Sequence, residues 1–316
     1  MGAFTLDQTF IRQHDMAWQF LYQQDQSYLR STVRNETQQA KKKAWNFIGP
    51  TQGQWDVARH SNSPDIATDH ITRWCTLHSW TWSELVEDID VIQTLGDPSS
   101  DYMKNAVNAA HRGWDERILE AVYATAYSGE EGTTAVNWYD VGECVGVNAD
   151  GTNTTAGAAF TDTTETGLTL GKIALIGSMM DNNSVPATDR HLVANTDQKW
   201  YLLSSAKTTS TDYNTVKALT NGELNSFMGF TFHWLPADRF TADTVDTGAY
   251  RCVAYHKNAL LMSTAIELKT RIAEESKTNF ATRVWARYMA GATRLQGKGI
   301  VPFLVKKAPV LDASFG

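Results

Sequence analysis

The chain has 316 residues, 42% of them hydrophobic and 20% charged, which is the composition of a folding chain and excludes global disorder. Its 35 acids against 28 bases give a net charge of −7, without the basic surplus of a protein that binds nucleic acid by neutralising phosphates. No apolar run approaches the roughly 18 residues of a membrane span, MGAFTLDQTFIRQHD is not signal-peptide-like, and the three scattered cysteines suit a reducing compartment better than a disulfide framework or a zinc knuckle.

Residues 5–29 are expected to form a Gln-rich first helix, with Phe10, Met16, Ala17, Phe20 and Leu21 at near-helical spacing, followed by a polar stretch, Ser31–Lys43. Residues 44–70 are rich in turn formers (Gly49-Pro50, Gly53, Ser61-Asn62-Ser63-Pro64) and poor in core material. From Ile71 to Trp82 the chain alternates with period two, which predicts a strand. Five indoles, Trp45, Trp55, Trp74, Trp80 and Trp82, lie in or beside this extended region. A two-stranded arm cannot bury five indoles on itself, so they need either a neighbouring subunit or the subunit's own core.

A long helix is expected over 97–128, capped by Asp97, with Pro98 in its first turn and Met103, Val107, Ala110, Trp114, Ile118 and Val122 recurring every three or four residues; Gly129 is placed to stop it. Seven acids (Glu130, Glu131, Asp140, Glu143, Asp150, Asp162, Glu165) and no Lys or Arg lie between Gly129 and Gly167, so this Thr- and Gly-rich stretch holds the whole net charge. It reads as an exposed hairpin or insertion with a strand-like Val141–Val147. A helix over Thr169–Met180 follows, then a Pro186 turn, a strand at Arg190–Ala194, a helix at Thr196–Ser204, and strands at Phe227–Leu235 and Tyr250–His256. The segment 266–307 predicts long antiparallel strands, with Phe280, Thr282, Val284, Ala286 and Tyr288 on one face and Ile300–Lys306 closing the set.

Phosphate-binding glycine loops and a Gly-x-Ser-x-Gly nucleophile elbow are absent from the sequence, and none of the eight histidines forms a His-Glu-x-x-His pair. Asp69-His70 and Asp189-Arg190-His191 come nearest to a constellation, and Lys41-Lys42-Lys43 nearest to a phosphate contact. Each reads more simply as structural or solvated. The sequence offers no catalytic residue, metal site or cofactor site, and the chain is expected not to be an enzyme.

The order of short motifs is more specific. Ile71-Thr-Arg73, Trp82, Glu87-Asp88-Ile89-Asp90, Asp97-Pro98, Tyr102, Ala109-Ala110-His111-Arg112 and Asp115-Glu-Arg-Ile118-Leu119 form one block. A second comprises Leu168-Thr169-Leu170, Val185-Pro186, Asp189-Arg190, Trp200, Leu202-Leu203, Asn221-Gly222, Gly229-Phe230 and His256-Lys257-Asn258-Ala259, and Gly291-Ala-Thr-Arg294 and Gly299-Ile-Val301 close the series. In this order over residues 40–306 the chain resembles the major capsid proteins of tailed bacteriophages, which have the Hong Kong ninety-seven type fold.

The resemblance implies an α+β capsid fold with a defined division of the chain. Residues 1–43 would be an N-terminal arm and 44–82 an extended loop. A peripheral domain would comprise 83–128 and 263–316 with the spine helix 97–128, 129–167 would be the acidic insertion, and 168–262 an axial domain. It implies pentamers and hexamers in an icosahedral head enclosing double-stranded DNA, with Trp45, Trp55, Trp74, Trp80, Trp82, Arg73 and Arg190 as candidate contacts between subunits. Implied partners are further copies of the chain, a portal protein, a separate scaffolding protein, a decoration or cement protein, and packaged DNA by non-specific proximity. The implied location is the virion, with assembly in host cytoplasm and no membrane. Some relatives cross-link a loop lysine to an asparagine; Phe47–His70 contains no lysine, so that chemistry is not expected. Competing readings are an encapsulin-like cellular shell, a carbohydrate-binding or adhesion module built on the Thr/Gly-rich stretch, and a hydrolase using Asp189 and His191.

Overall fold

The computed structural model describes residues 22–56, 59, 61–62, 65–87, 99–138, 146–147, 153–154, 167–204, 226–240, 249–277 and 280–306. In chain order these begin with β1 (Arg34–Thr37), β2 (Lys42–Ile48), β3 (His70–Thr76), β4 (His78–Val86) and the long helix α1 (Ser99–Tyr123). Short strands β5 (Ala126–Ser128), β6 (Thr134–Val136), β7 (Gly146–Val147) and β8 (Asn153–Thr154) precede α2 (Leu170–Asn182), β9 (Arg190–Asn195) and α3 (Thr196–Ser204). The chain continues with β10 (Ser226–Phe227), β11 (Phe230–Leu235), β12 (Ala249–His256), β13 (Leu260–Glu275), β14 (Ala281–Arg294) and β15 (Ile300–Lys306). The described residues fall into two compact units, one within Met1–Gln26, Ser79–Arg112 and Ile266–Tyr288, the other within Ser27–His78, Gly113–Ala265 and Met289–Gly316.

In the first unit Trp80 of β4 stacks on Tyr288 of β14, with ring centroids 4.9 Å apart. Val284, Ala286 and Tyr288 are buried, as period two requires. Phe280 is not part of that face. It sits in the turn before β14 with φ 58° and is largely exposed.

The second unit holds a seven-stranded sheet of order β10-β11-β9-β12-β15-β7-β8. Its middle strands are apolar on both faces: Leu192–Ala194, Cys252–Tyr255 and Ile300, Val301 and Phe303–Val305 are all buried. β15 therefore does not close a set with β13 and β14, as its position in the sequence suggested. It lies antiparallel to β12, pairing Tyr250 with Val305 and Tyr255 with Ile300, because an all-apolar strand needs cover on both faces. At its other edge Phe303 pairs with Val147, so part of the stretch read as an exposed insertion supplies edge strands to this sheet; 139–145, 148–152 and 155–166 lie outside the described residues.

Local chemistry explains the helix ends. Thr169 accepts from the Lys172 amide at 3.3 Å and caps α2, and Asn195 accepts from the Gln198 amide at 3.2 Å and starts α3. Gln198, fully buried, accepts from the Leu168 amide at 2.7 Å and donates to the Lys306 carbonyl at 2.8 Å, joining the entrance of α2 to the end of β15. Helix α1 ends at Tyr123, five residues before the expected limit of 128. Its final carbonyls are taken by the Arg294 guanidinium, and Gly129, read as the helix stop, instead makes the β5–β6 turn with φ 88°. Asp97 and Pro98 lie outside the described residues.

The N-terminal segment also departs from expectation. Residues 5–21 of the expected first helix lie outside the described residues, and 22–29 are not helical. The reason is Asp115, a buried carboxylate on α1 that accepts from the Ser27 hydroxyl at 2.6 Å and from the Tyr28 and Leu29 amides at 3.1 Å each. It claims amides that a helix would need. Arg30 lies over the Trp114 ring at 4.2 Å, and Thr32 shares a 2.5 Å hydrogen bond with the Tyr255 hydroxyl. The polar stretch that follows is not merely solvated, because β1 pairs in parallel with β13, Arg34 opposite Leu261 through Thr37 opposite Thr264. An Asp115→Asn variant should lose about 2 kcal/mol, since its amide turns donors toward donors. Thermal unfolding and tryptic cleavage after Arg30 and Arg34 check this: a lower midpoint with faster cleavage is expected, and unchanged cleavage would refute the anchoring role.

Candidate assembly surface

The ribbon of β2 and β3 belongs to a four-stranded sheet of order β2-β3-β5-β6. Lys42 pairs with Thr76 at its root and Ile48 with His70 at its far end. The expected continuous strand from Ile71 to Trp82 is broken at Leu77. β3 pairs with β2 and β5, whereas β4 lies beside β14 in a second sheet of order β1-β13-β14-β4. Leu77 is buried, and its amide donates to the Lys41 carbonyl at 3.0 Å.

The candidate contact residues divide by their surroundings. Trp45 is buried and donates from Nε1 to Glu36 Oε2 at 2.7 Å, and Lys43 lies over its ring at 4.7 Å. Trp74 donates to the Gly129 carbonyl at 2.7 Å, and its ring fills the space where a Cβ on Gly132 would be. Trp80 has its stack on Tyr288, and Trp82 is half-buried. Arg73 and Arg190 are both buried. Arg190 donates to the Pro186 carbonyl at 2.8 Å, the Val185 carbonyl at 2.6 Å and Asp181 at 2.6 Å, so its guanidinium fastens the connection from α2 to β9. Trp55 differs from the rest. It is 94% exposed, and Ile48 (73%), Ile66 and Ile71 are exposed with it on the ribbon and its loop. Ile48, opposite His70, and Ile71, opposite Phe47, face opposite sides of the ribbon, so exposed apolar side chains lie on both its faces and on its loop, as suits a segment that other surfaces enclose.

Electrostatics at the ribbon root centre on Glu36. Burial raises the pKa of its carboxyl, but hydrogen bonds from Trp45 and Lys43 and the charge of Arg34 outweigh that and hold it below the usual carboxylate range. Lys43, read as a possible phosphate contact, is engaged here at 3.3 Å. Cys75 and Cys252 are buried free thiols, each pushed up to about 12 by desolvation, and are inert as nucleophiles at neutral pH.

Among the described residues no group of three or more His, Cys, Asp or Glu could hold a metal ion. Nδ1 of His191 faces Nε2 of His233 at 3.1 Å, so a histidine from β9 is hydrogen-bonded to one from β11. Burial lowers the pKa of both, that of His191 to about 4. A cleft of about 450 Å³ is lined by Glu116, Tyr123, Arg239, Phe240 and Arg251, but its charged groups are engaged locally, Arg239 with Glu116 and Arg251 over the Tyr123 ring.

Sequence reasoning missed Asp115 and Arg294, which bind backbone groups far away in the chain, and Glu36, which binds the side chains of Arg34, Lys43 and Trp45. Asp115 and Arg294 stood inside quoted motifs; Glu36 carried no signal.

The sequence matches the phage capsid protein family across residues 6–306. No curated protein matches it in sequence. Solved structures similar to it include the capsid of cyanophage P-SCSP1u (15% identity, 95% of this chain and 94% of that one, TM-score 0.70). Also similar are the capsid of cyanophage Pam1 (11%, 98% and 100%, 0.69) and a chain of Mycobacterium phage Che8 (17%, 96% and 98%, 0.65). These likenesses extend the α+β capsid fold over nearly the whole chain and do not favour the encapsulin, adhesion or hydrolase readings. Family match and fold together identify the chain as a member of the phage capsid protein family, a major capsid protein and structural component of the virion head.

Proposed function

We propose that the chain self-assembles into pentamers and hexamers of an icosahedral shell around the double-stranded DNA of a tailed phage, with the ribbon β2–β3 and its loop as an adhesive arm between subunits. The family match over residues 6–306 carries this reading. The exposed apolar side chains of Ile48, Trp55, Ile66 and Ile71, spread over both faces of the ribbon and its loop, support the role given to the arm. Heterologous contacts that close by rotation give rings, and rings joined edge to edge tile a shell. Trp55 is the leading contact residue. Trp45, Trp74, Trp80, Arg73 and Arg190 act one step back, by giving the arm and the connections around it a fixed shape.

In this reading residues 168–262, with β15 added, make the axial domain, and α1 with β4 and the outer parts of β13 and β14 the peripheral one. A portal, a separate scaffolding protein and a decoration protein are its proposed partners, and a net charge of −7 suits a wall that packed DNA must not adhere to. Electron microscopy of the expressed protein tests the shell, and Trp55→Ala tests the arm. Loss of an aromatic anchor costs about 2 kcal/mol at an interface, roughly thirty-fold per contact, so the variant should stay soluble and folded yet give few shells. Normal shells in normal yield would overturn the arm's role.

A further inference from the structure

We infer that Arg294 is the positioning residue of the arm: one buried guanidinium couples the end of the long helix to the hairpin on which the arm rests. This inference rests on the arm reading above. Arg294 closes β14 and is completely buried. From Nη1 it donates to the carbonyls of Val122 at 2.8 Å, Ala121 at 3.3 Å and Ala124. From Nη2 it donates to the Val136 carbonyl of β6 at 2.9 Å. The first three acceptors form the C-terminal end of α1, where unsatisfied carbonyls and the helix dipole favour a cation. The fourth belongs to a different sheet.

From Val136 the connection runs directly to the arm. β6 pairs with β5, Ala126 opposite Val136 and Ser128 opposite Thr134. β5 pairs with β3 through Arg73 opposite Ser128 and Trp74 opposite Tyr127. Two side-chain bonds reinforce that joint, Ser128 Oγ to the Thr72 carbonyl at 2.8 Å and Trp74 Nε1 to the Gly129 carbonyl at 2.7 Å. Gly132, with φ 66°, leaves room for the Trp74 ring, since any Cβ there would strike it. The hairpin 126–136 makes few other pairings, because β6 is an edge of its sheet. Its direction is therefore set by the guanidinium behind it, and the direction of β3 follows.

A planar fork with donors in fixed directions can bridge four carbonyls in two elements at once, which an ammonium group on a flexible stem cannot. Arg294→Lys keeps the charge and removes the fork. Hydrogen exchange of the unassembled subunit, read by mass spectrometry, and electron microscopy of its assembly products test the inference together. In the lysine variant, exchange over 126–136 and 70–76 should rise at least ten-fold while β12 and β15 keep their protection, and shells should be scarce or irregular in diameter. Unchanged protection over both segments would overturn the inference, as would loosened segments accompanied by shells of normal yield and diameter. If the variant fails to fold, Trp74→Phe breaks the next link and leaves Arg294 intact. Faster exchange over 70–76 with fewer regular shells is then expected, and normal shells despite that loosening would again overturn the inference. Trp55→Ala separates the two readings: it should lose assembly with exchange unchanged. Normal shells from that variant count against the arm, whereas the exchange of the lysine variant still decides the role of Arg294.

Discussion

Replacing Gly291 with alanine is expected to abolish folding or to destabilise the subunit by more than about 3 kcal/mol, the upper part of the range for overpacking. A Cβ at this position of β14 would lie far inside van der Waals distance of the Thr76 carbonyl oxygen and 3.0 Å from Cys75 Sγ. Thr76 cannot withdraw. It is paired with Lys42, and the next residue, Leu77, is held to the Lys41 carbonyl at 3.0 Å. Gly177 on α2 is the control, since a Cβ there meets only Phe230 at 3.7 Å. There the alanine exchange should be neutral or gain up to about 1 kcal/mol from helix propensity. Soluble yield and thermal midpoint report both. A Gly291→Ala protein melting within a degree of the unaltered one would show that β14 does not press on the β3–β4 junction.

Acidification should weaken the seven-stranded sheet between pH 6.5 and 4. In the folded chain His191 has a pKa of about 4 against an ordinary 6.5, so the unfolded chain binds a proton across that interval and the folded chain does not. Stability is therefore complete above pH 6.5 and falls as the pH drops toward 4; the ring is only partly buried, so solvent screening holds the loss to about 1–2 kcal/mol. Burial is the main cause. The neighbouring charge of His233 acts in the same direction, as do Lys257 and His256, while Asp189 opposes them. His233 is lowered by burial too, against the pull of Asp115. Protonating both rings would abolish the 3.1 Å hydrogen bond, which needs one neutral acceptor. Denaturant midpoints across this range should shift steeply for the native chain and less for His191→Asn. Equal slopes would assign the acid sensitivity to other groups.

The elements with strong local signals were legible in the sequence. Thr196–Ser204 and Ile300–Lys306 have the expected limits, and β9, β12 and α2 lie within a residue or two of theirs. Each carries its own cap or an unbroken apolar run. The failures share one cause, partners distant in the sequence that compete for local backbone groups. Asp115 draws Ser27, Tyr28 and Leu29 out of a helix, and Arg294 ends α1 before Gly129 can. Leu77 divides one alternating stretch between two sheets without any break in its pattern. For the indoles, spacing showed that they needed a surface but not which one. Trp45, Trp74 and Trp80 found theirs within the chain because Glu36, Gly129 and Tyr288 lie beside them, and Trp55 did not.

The bond set around Arg294 has a consequence for how the subunit responds to its medium. Its acceptors are main-chain carbonyls, and a guanidinium stays charged throughout the range in which proteins fold, so no proton enters or leaves this joint. Being buried, it is also poorly screened by salt. The histidine pair and the Glu36 cluster do titrate. Acid thus acts at two points, the histidine pair in the seven-stranded sheet and the Glu36 carboxyl at the root of the arm, and the Arg294 joint is indifferent to it.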